Sequence, residues 1–249
     1  AGIAATGKTV FASSFAMFAA GRAFEQVRNV IGYPHLNVKI GATHGGITVG
    51  EDGATHQCLE DLGLMRMLPG MTVFSPCDGP EAAKAVKAAL EIDGPVYVRM
   101  GRSALDVITE DAAEFTVGKG VVMADGADAV MFATGLMVGE SLKAREILAE
   151  RGIDLAVVNI HTIKPIDRDI IIAAAKETGA IVTAEEHSVI GGLGSAVAEL
   201  LAEKCPTPLR RVGVEDVFGM SGPATELLDL FGLNAANICA KAKEAIAMK

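Results

Sequence analysis

The sequence predicts an α/β protein with two domains, each containing a mainly parallel sheet flanked by helices. Apolar runs of strand length alternate with amphipathic runs of helix length from end to end, which is the pattern of parallel α/β folds. The chain has 249 residues, enough for two domains of modest size. A polar stretch at 103–126, with the acidic residues Glu110, Asp111 and Glu114, interrupts the alternation near the middle. We interpret this stretch as the linker between the domains.

The individual elements follow from the hydrophobic period and from helix-entry signals. The first domain, residues 1–115, is predicted to contain strands starting at Val10 and at 37–42, 72–75 and 96–99, with helices at 57–68 and 80–92. The second domain, residues 125–249, is predicted to contain strands at 129–134, 155–159, 180–184 and 209–214, helices at 138–151, 168–178 and 195–204, and two more helices at its end. Asp78 followed by Pro80 is an ordinary helix start.

The composition favours an oligomeric protein. Half of the residues are hydrophobic, 21% are charged and the mean hydropathy is +0.36. A monomer of this size normally has less apolar surface to hide, and subunit contacts would cover the excess. The net charge of −9 and the lack of a basic run argue against nucleic acid and anionic membranes as partners. No apolar run approaches the ~18–20 residues of a membrane span.

The cysteines indicate a cytoplasmic protein. Cys58, Cys77, Cys205 and Cys239 are scattered without CxxC spacing. This distribution is typical of reduced, mostly buried thiols, and it does not resemble a disulfide framework or a zinc site. The alternative of a secreted protein rests on one apolar stretch, 9–21, which could serve as the core of a signal peptide.

The first residues match the consensus sequence of a phosphate-binding loop. GIAATGKT, at 2–9, fits the Walker A pattern, which requires a strand before the loop and a helix after it. The residues from Val10 onwards are instead typical of a strand, and the best Walker B candidate, at 181–185, lies in the other predicted domain. We interpret the segment as a short helix that ends at Gly7, with nucleotide binding as the alternative.

A glycine-rich turn in the second half partly matches a dinucleotide-binding fingerprint. The turn is IGGLG at 190–194, and Glu215 lies at a plausible distance along the chain for contacting a ribose. However, the full GxGxxG spacing is missing and the turn follows its strand only after several residues. A tight strand-to-helix connection is the better interpretation.

The segment GATHGGITVGEDGATHQ, at 41–57, is the best candidate for a functional site. It places His44 just past a predicted strand, where ligands of open parallel sheets bind. Arg102 follows another strand and should reach the same edge. Histidine, aspartate and arginine together suit a sugar phosphate, because the guanidinium pairs with phosphate oxygens while the others read hydroxyls and carbonyls. A metal site of His44, Asp52 and His56 fits no standard zinc spacing, and a purely structural polar loop is the second alternative.

At these residues the sequence resembles the transketolase family. The family's pyrimidine-binding domain carries an S(S/T)FxxF segment, a histidine-led loop, a GEDG(P/A)(T/S)(H/Q) loop and a strand that ends in an arginine. These motifs correspond here to SSFAMF at 13–18, Thr43-His44, GEDGATH at 50–56 and Arg102. The second half resembles the family's C-terminal domain in HTIKPID at 161–167 and in EEH at 185–187. The likeness covers essentially the whole chain, with the motifs in the family's order.

The resemblance implies transfer of a two-carbon ketol unit from a ketose phosphate to an aldose phosphate. Thiamine diphosphate would supply the carbanion chemistry, and the protein would supply position and electrostatics. The implied roles are pyrimidine binding by Phe15 and Phe18, substrate binding by His44, Asp52 and Arg102, and catalysis by His56 beside the donor carbonyl. Plain core packing at helical spacing is the alternative for the two phenylalanines.

Two departures from the family pattern imply a partner chain. The glutamate that activates the cofactor in the family stands just before the segment matching residues 1–5, and the sequence begins after that position. The family's GDG motif with its asparagine, which binds the diphosphate and the metal, is absent throughout. The resemblance therefore implies an N-terminal transketolase subunit that holds Mg²⁺ or Ca²⁺, in a homodimer or α2β2 assembly, and no metal site on this chain.

Three other functions remain as alternatives. Deoxyxylulose-phosphate synthases and the β chains of 2-oxo-acid dehydrogenases share this architecture, although the GEDGATHQ segment favours transketolase over both. The third alternative is a non-catalytic scaffold subunit, because the activating glutamate is not in the sequence.

Overall fold

The computed structural model describes residues 1–109 and 114–249. The first half contains β1 (Val10–Phe15), β2 (Val38–Thr43), α1 (Asp61–Arg66), β3 (Thr72–Phe74), α2 (Gly79–Glu91) and β4 (Val96–Arg99), with 3-10 turns at Ala4–Thr6 and Ile47–Asp52 and wide π-type helices at Met17–Arg22 and Gln26–Gly32. The second half contains β5 (Val121–Ala124), β6 (Ala129–Ala133), α3 (Met137–Ala149), β7 (Leu155–Asn159), β8 (Thr162–Lys164), α4 (Arg168–Thr178), β9 (Ile181–Ser188), α5 (Leu193–Lys204), β10 (Leu209–Val214), α6 (Ala224–Leu230) and α7 (Ala235–Ile246).

The strands form two sheets of five strands each. The first has the order β1-β2-β4-β3-β8, and the second has the order β10-β9-β6-β7-β5. Four strands in each sheet run parallel, while β8 and β5 join as antiparallel edges. The predicted α/β fold with mainly parallel sheets is therefore confirmed.

The local sequence explains why these elements form where they do. The central strands β6 and β7 are continuous apolar runs, AVMFA and LAVVN, whose residues are all buried, as strands covered by helices on both faces require. Helix α2 is capped at its start by Asp78, whose carboxylate accepts a hydrogen bond from the Glu81 amide at 2.9 Å. Helix α4 is capped in the same way by Asp167 and ends at Gly179, which adopts the left-handed conformation that glycine tolerates best.

The linker prediction is wrong in its second half. Strand β5 lies inside the stretch 103–126 and pairs with β7. Its residues, VVMA, are apolar but only half-buried or exposed, and a run of four apolar residues inside a polar stretch is too short to identify an edge strand from sequence. Earlier in the stretch, the Asp78 carboxylate accepts hydrogen bonds from the amides of Ile108 and Thr109 at 2.9 and 2.7 Å, which ties the segment to the start of α2. Glu110 and Asp111 lie outside the described residues.

The helix predicted at 57–68 begins later than expected, at Asp61. The preceding backbone is already engaged, because the Cys58 carbonyl accepts hydrogen bonds from the Gly46 amide at 2.9 Å and from the Arg99 guanidinium at 3.3 Å. These contacts hold residues 57–60 against the loop that follows β2.

The two halves of the chain share one sheet. Strand β8 comes from the second half but pairs with β3 of the first, with Val73 opposite Lys164 and Phe74 opposite Thr162. The Lys164 ammonium also donates a hydrogen bond to the carbonyl of Arg66 at 3.0 Å. The domain boundaries predicted at 1–115 and 125–249 remain a prediction. The structure adds that the last strand of the first sheet, β8, comes from the second of these ranges.

The first residues form a 3-10 turn that ends at Gly7, with φ of 85°. Strand β1 follows directly, where a phosphate-binding loop would need a helix. Over the ranges 1–109 and 114–249, every helix is too short or too polar to cross a membrane.

Candidate active site

The predicted site residues lie at the carboxyl edge of the first sheet. Phe15 ends β1, His44 follows the end of β2, and Arg102 lies just beyond the end of β4. These strands are parallel neighbours, with Phe15 opposite Thr43 and Ala42 opposite Arg99. Because parallel strands place their carboxyl ends at one edge, the fold brings together residues that are far apart in the sequence.

Residues 43–49, which we call the His44 loop, have an unusual backbone. His44 has φ of 59°, in the left-handed region that few non-glycine residues occupy. The next two residues are glycines for a steric reason: a Cβ on Gly45 would lie 2.8 Å from the Arg99 Nε, and a Cβ on Gly46 would collide with the Glu186 carboxylate. The two glycines therefore let the loop pack directly against buried charged groups.

Four ring side chains form a cluster at this edge. The Phe15 ring stacks on the His44 ring with 3.7 Å between centroids and 8° between planes. The Phe18 ring lies nearly parallel to that of Phe15 at 5.8 Å. His56 meets both phenylalanines edge-on, at 6.2 Å from Phe15 and 5.3 Å from Phe18. The predicted cofactor residues Phe15 and Phe18 therefore lie against His56, and Phe15 also contacts His44.

The surroundings of His44 favour its neutral form. Burial lowers the pKa of the imidazole below its ordinary value, the nearby Arg102 lowers it further, and Asp52 opposes the shift. The three residues are therefore within electrostatic range of one another. The His44 Nδ1 lies 2.9 Å from the Thr43 hydroxyl, and the His56 Nδ1 lies 2.9 Å from the Thr55 hydroxyl, so each ring has a neighbour that orients it.

Arg102 is held at the rim of the site by contacts that solvent can replace. Its Nη1 donates to the Val49 carbonyl at 3.2 Å and to the Glu51 carboxylate at 3.0 Å. The side chains of Arg102 and Glu51 are 45% and 66% exposed, so the ion pair is weak and the guanidinium is available to an incoming anion.

Gln57 joins the GEDG segment to the second half of the chain. Its buried side-chain amide donates hydrogen bonds to the carbonyls of Ile47, Gly50 and Met220, at 3.1, 3.3 and 2.9 Å. A Cβ on Gly219 would collide with the Gln57 side chain, so the segment at 219–220 also approaches closely. Residues of the second half therefore help to shape the candidate site.

A network of buried charged residues lies beneath the His44 loop, and it was not predicted from the sequence. The Asp61 carboxylate accepts hydrogen bonds from the Arg99 Nε and the Tyr97 hydroxyl, both at 2.8 Å. Arg99 also donates to the backbone carbonyl of Glu186 at 2.8 Å, and the Glu186 carboxylate accepts from the Thr48 amide at 2.7 Å. Burial raises the pKa of Glu186, while Arg99 opposes the rise. The sequence feature that could have indicated this network is the presence of charged residues inside otherwise apolar strands, as in VYVR and TAEEH.

The glycine-rich turn at 190–194 is a structural connection. The Glu185 carboxylate accepts hydrogen bonds from the amides of Leu193 and Gly194, at 2.7 and 2.8 Å. These are the first amides of α5, the groups that would bind a pyrophosphate in a dinucleotide fold. The side chain of Glu185 already occupies that position, which supports the interpretation as a tight connection.

The chain offers a suitable surface for an aromatic ring. Beside Phe18 lies a cavity of ≈ 240 Å³, lined mostly by small and apolar residues: Ala12, Ser13, Ser14, Ala19, Ala23, Gln26, Val27, Ile31 and Ile40. One aromatic wall, Phe18, and small apolar neighbours leave room for a flat ring. Within the described part of the chain, three or more histidine, cysteine, aspartate or glutamate side chains nowhere converge as a metal site would require.

Comparisons with known families agree with this geometry. The family model of the transketolase pyrimidine-binding domain matches residues 1–107, and that of the transketolase C-terminal domain matches residues 118–238. The chain belongs to the transketolase family. This transketolase-family chain corresponds to the C-terminal part of a thiamine-diphosphate-dependent enzyme.

The relatives match this chain over nearly its whole length, and the match spans about three quarters to four fifths of each relative. The putative transketolase C-terminal section of Methanocaldococcus jannaschii is 51% identical over 247 residues, which cover 98% of this chain and 77% of that protein. A 6-deoxy-6-sulfo-D-fructose transketolase subunit of Clostridium sp. is 47% identical over 244 residues, covering 98% of this chain and 76% of the relative. Among solved structures, one described as a split gene transketolase, inactive beta4 tetramer, matches with a TM-score of 0.94 and 50% identity, over 100% of this chain and 80% of that one.

Proposed function

We propose that this chain is the C-terminal subunit of a two-chain transketolase, which moves a two-carbon ketol unit from a ketose phosphate to an aldose phosphate. The observation that carries the proposal is the contact between Phe15, Phe18, His44 and His56 at the carboxyl edge of the first sheet, with Arg102 in electrostatic range of His44. A stacking surface, two imidazoles and a rim arginine together suit a cofactor ring, a carbonyl and a phosphate.

Each side chain has a task that its surroundings support. Phe15 and Phe18 would pack against the aminopyrimidine ring of thiamine diphosphate, which supplies the carbanion chemistry when bound. His44, kept neutral by its lowered pKa, could exchange hydrogen bonds with sugar hydroxyls. His56 would donate a hydrogen bond to the donor carbonyl oxygen as negative charge develops there.

The two charged residues of the rim would select the substrate. Arg102 would pair with the substrate phosphate through a charge-assisted contact, for which it would leave the weak ion pair with Glu51. Asp52 is exposed at the end of the 3-10 turn Ile47–Asp52, where its carboxylate could accept a hydrogen bond from a sugar hydroxyl.

We further propose that an N-terminal partner chain holds the diphosphate and the Mg²⁺ or Ca²⁺ ion, in a homodimeric or α2β2 assembly in the cytoplasm. This part of the proposal rests on relatives whose names describe a section or a subunit of a transketolase. The relative described as a beta4 tetramer is a precedent for contacts between copies of such a chain.

Reconstitution tests the proposal. The chain, a partner that carries GDG with its asparagine, and an equimolar mixture are each assayed with thiamine diphosphate, Mg²⁺, xylulose 5-phosphate and ribose 5-phosphate. We expect turnover only in the mixture. Robust turnover by the chain alone would contradict the two-chain proposal. A mixture that consumes pyruvate with glyceraldehyde 3-phosphate, but not the transketolase pair, would indicate a deoxyxylulose-phosphate synthase, and a mixture without any turnover would favour a scaffold role.

A further inference from the structure

We propose that Glu186, on the second sheet, is a positioning residue for the His44 loop: its buried side chain holds the Thr48 amide and so fixes the conformation in which His44 stacks on Phe15. The hydrogen bond of 2.7 Å joins residues 138 positions apart. The catalytic consequence of this contact rests on the proposed function, whereas the contact itself can be tested without any substrate.

Strand β9 holds the first half of the chain at several points. The Glu186 carbonyl accepts a hydrogen bond from Arg99 at 2.8 Å, the Ser188 amide donates to the Leu59 carbonyl at 2.9 Å, and the Gly63 amide lies 3.3 Å from the His187 Nε2. These contacts place the β9 backbone in a fixed position beneath the His44 loop. The Glu186 side chain is the part of β9 that reaches the loop itself.

The contact lies where the loop has the least freedom to move. Gly46 touches the Glu186 carboxylate so closely that no Cβ would fit, and its φ of 93° is accessible chiefly to glycine. His44 itself is in the left-handed region, a conformation that persists only when its surroundings enforce it. On one side the Gly45 amide is anchored to the Met100 carbonyl at 3.0 Å, and on the other the Thr48 amide is anchored to Glu186.

Water could satisfy the same amide without fixing the loop. A small cavity of ≈ 30 Å³ borders Glu186, Thr48, Ser75 and Arg99, which is room for a water molecule. Shortening Glu186 would enlarge this space and let water hydrate the Thr48 amide. The loop would then keep its hydrogen bonding but lose its rigid attachment to β9, so a loss of position is expected before a loss of fold.

Hydrogen–deuterium exchange of the chain, measured by mass spectrometry, tests the contact. In Glu186→Ala we expect amides at 44–49 to exchange at least about tenfold faster than in the wild type, equivalent to about 1.4 kcal/mol. Glu186→Asp keeps the charge opposite Arg99 but withdraws the carboxylate from Thr48, so it should show the same loss even if the alanine variant does not fold. Glu186→Gln keeps an acceptor at the same reach and should restore protection.

The matched control is Glu199→Ala. Glu199 also joins the two halves of the chain, through a bidentate ion pair with Arg66 at 2.6 and 3.0 Å, but it lies away from the His44 loop and is 62% exposed. We expect unchanged exchange at 44–49 in this variant. Equal protection in wild type and Glu186→Asp, or equal loosening in Glu199→Ala, would overturn the proposal.

Kinetics of the reconstituted enzyme give the second readout. Glu186→Asp should raise KM for the sugar phosphates several-fold with a smaller change in kcat, and Glu186→Gln should restore KM. Faster exchange at 44–49 without a change in KM would overturn the positioning role. If the wild-type mixture has no turnover, the proposed function fails, and the exchange measurement alone still decides whether Glu186 fixes the loop.

Discussion

The substitution Arg102→Ala should lower kcat/KM for phosphorylated substrates far more than for unphosphorylated ones. In the proposed site the guanidinium pairs with a substrate phosphate, and losing such a charge-assisted hydrogen bond costs about 1.5–3 kcal/mol. Because each 1.4 kcal/mol is a factor of ten, kcat/KM for a ketose phosphate should fall roughly 10- to 150-fold. For hydroxypyruvate, which has no phosphate, kcat/KM should stay close to that of the wild type.

The structure also bounds the effect of this substitution on stability. The ion pair between Arg102 and Glu51 is largely exposed, and such pairs contribute about 0–1 kcal/mol. The remaining contact is a 3.2 Å hydrogen bond to the Val49 carbonyl, which water can replace at the surface. The free energy of unfolding should therefore change by no more than about 1 kcal/mol, and any larger kinetic effect would come from the substrate.

The assay compares steady-state kinetics on xylulose 5-phosphate and on hydroxypyruvate, with thermal melts of each variant. Arg28→Ala is the matched control, since Arg28 is an exposed arginine whose guanidinium contacts the neighbouring Asn29. Glu51→Gln is the complementary variant: it frees Arg102 from its ion pair and should leave phosphate recognition intact or improve it. Equal losses on both substrates after Arg102→Ala would mean that the arginine is structural, and the reasoning would be refuted.

Three further predictions concern catalysis, stability and pH. His56→Ala in the reconstituted enzyme should lower kcat by a factor of about 10²–10³, which corresponds to 2.7–4 kcal/mol, with a smaller effect on KM. His56→Gln should have a milder effect, and wild-type kcat in both variants would remove the catalytic role. Arg99→Ala should lower the free energy of unfolding by about 3–5 kcal/mol in urea titrations, because it leaves the buried Asp61 carboxylate without its ion-pair partner. Arg66→Ala, at a partly exposed ion pair, should lower it by about 1 kcal/mol or less. Burial lowers the pKa of His161 to about 4 from 6.5, so the unfolded chain binds a proton between these values that the folded chain does not, and stability falls as the pH falls. Between pH 7 and pH 5 the wild type should lose about 2 kcal/mol more than His161→Gln, and parallel losses would contradict this assignment.

Local patterns were sufficient for the strands that lie inside the sheets. The bounds of β4 (VYVR) and β7 (LAVVN) agree with the prediction because each is a short, buried apolar run that ends in one polar residue. The antiparallel edge strands β5 and β8 were missed, since β8 has only three residues and β5 has only four, inside an otherwise polar stretch. Their pairing depends on partners far away in the sequence, which no local period reveals.

The candidate site could be predicted only in part for the same reason. The ring cluster of Phe15, Phe18, His44 and His56 follows from motifs and from the rule that parallel strands end at one edge. The roles of these residues remain predictions. The contact between Glu186 and the His44 loop joins two sheets, so it depends on how the sheets pack, and only the three-dimensional structure reveals it.

Strand β8 constrains the order in which the molecule can be assembled. During synthesis, the outer edge of β3 stays open until residues 162–164 have left the ribosome, roughly 4–18 s later at a rate of about 5–20 residues per second. An open strand edge is a template for pairing with other chains. The N-terminal domain is thus exposed to misassembly for longest when translation is slow. A genetic fusion or circular permutation will preserve the first sheet only if residues 162–164 can still pair with β3.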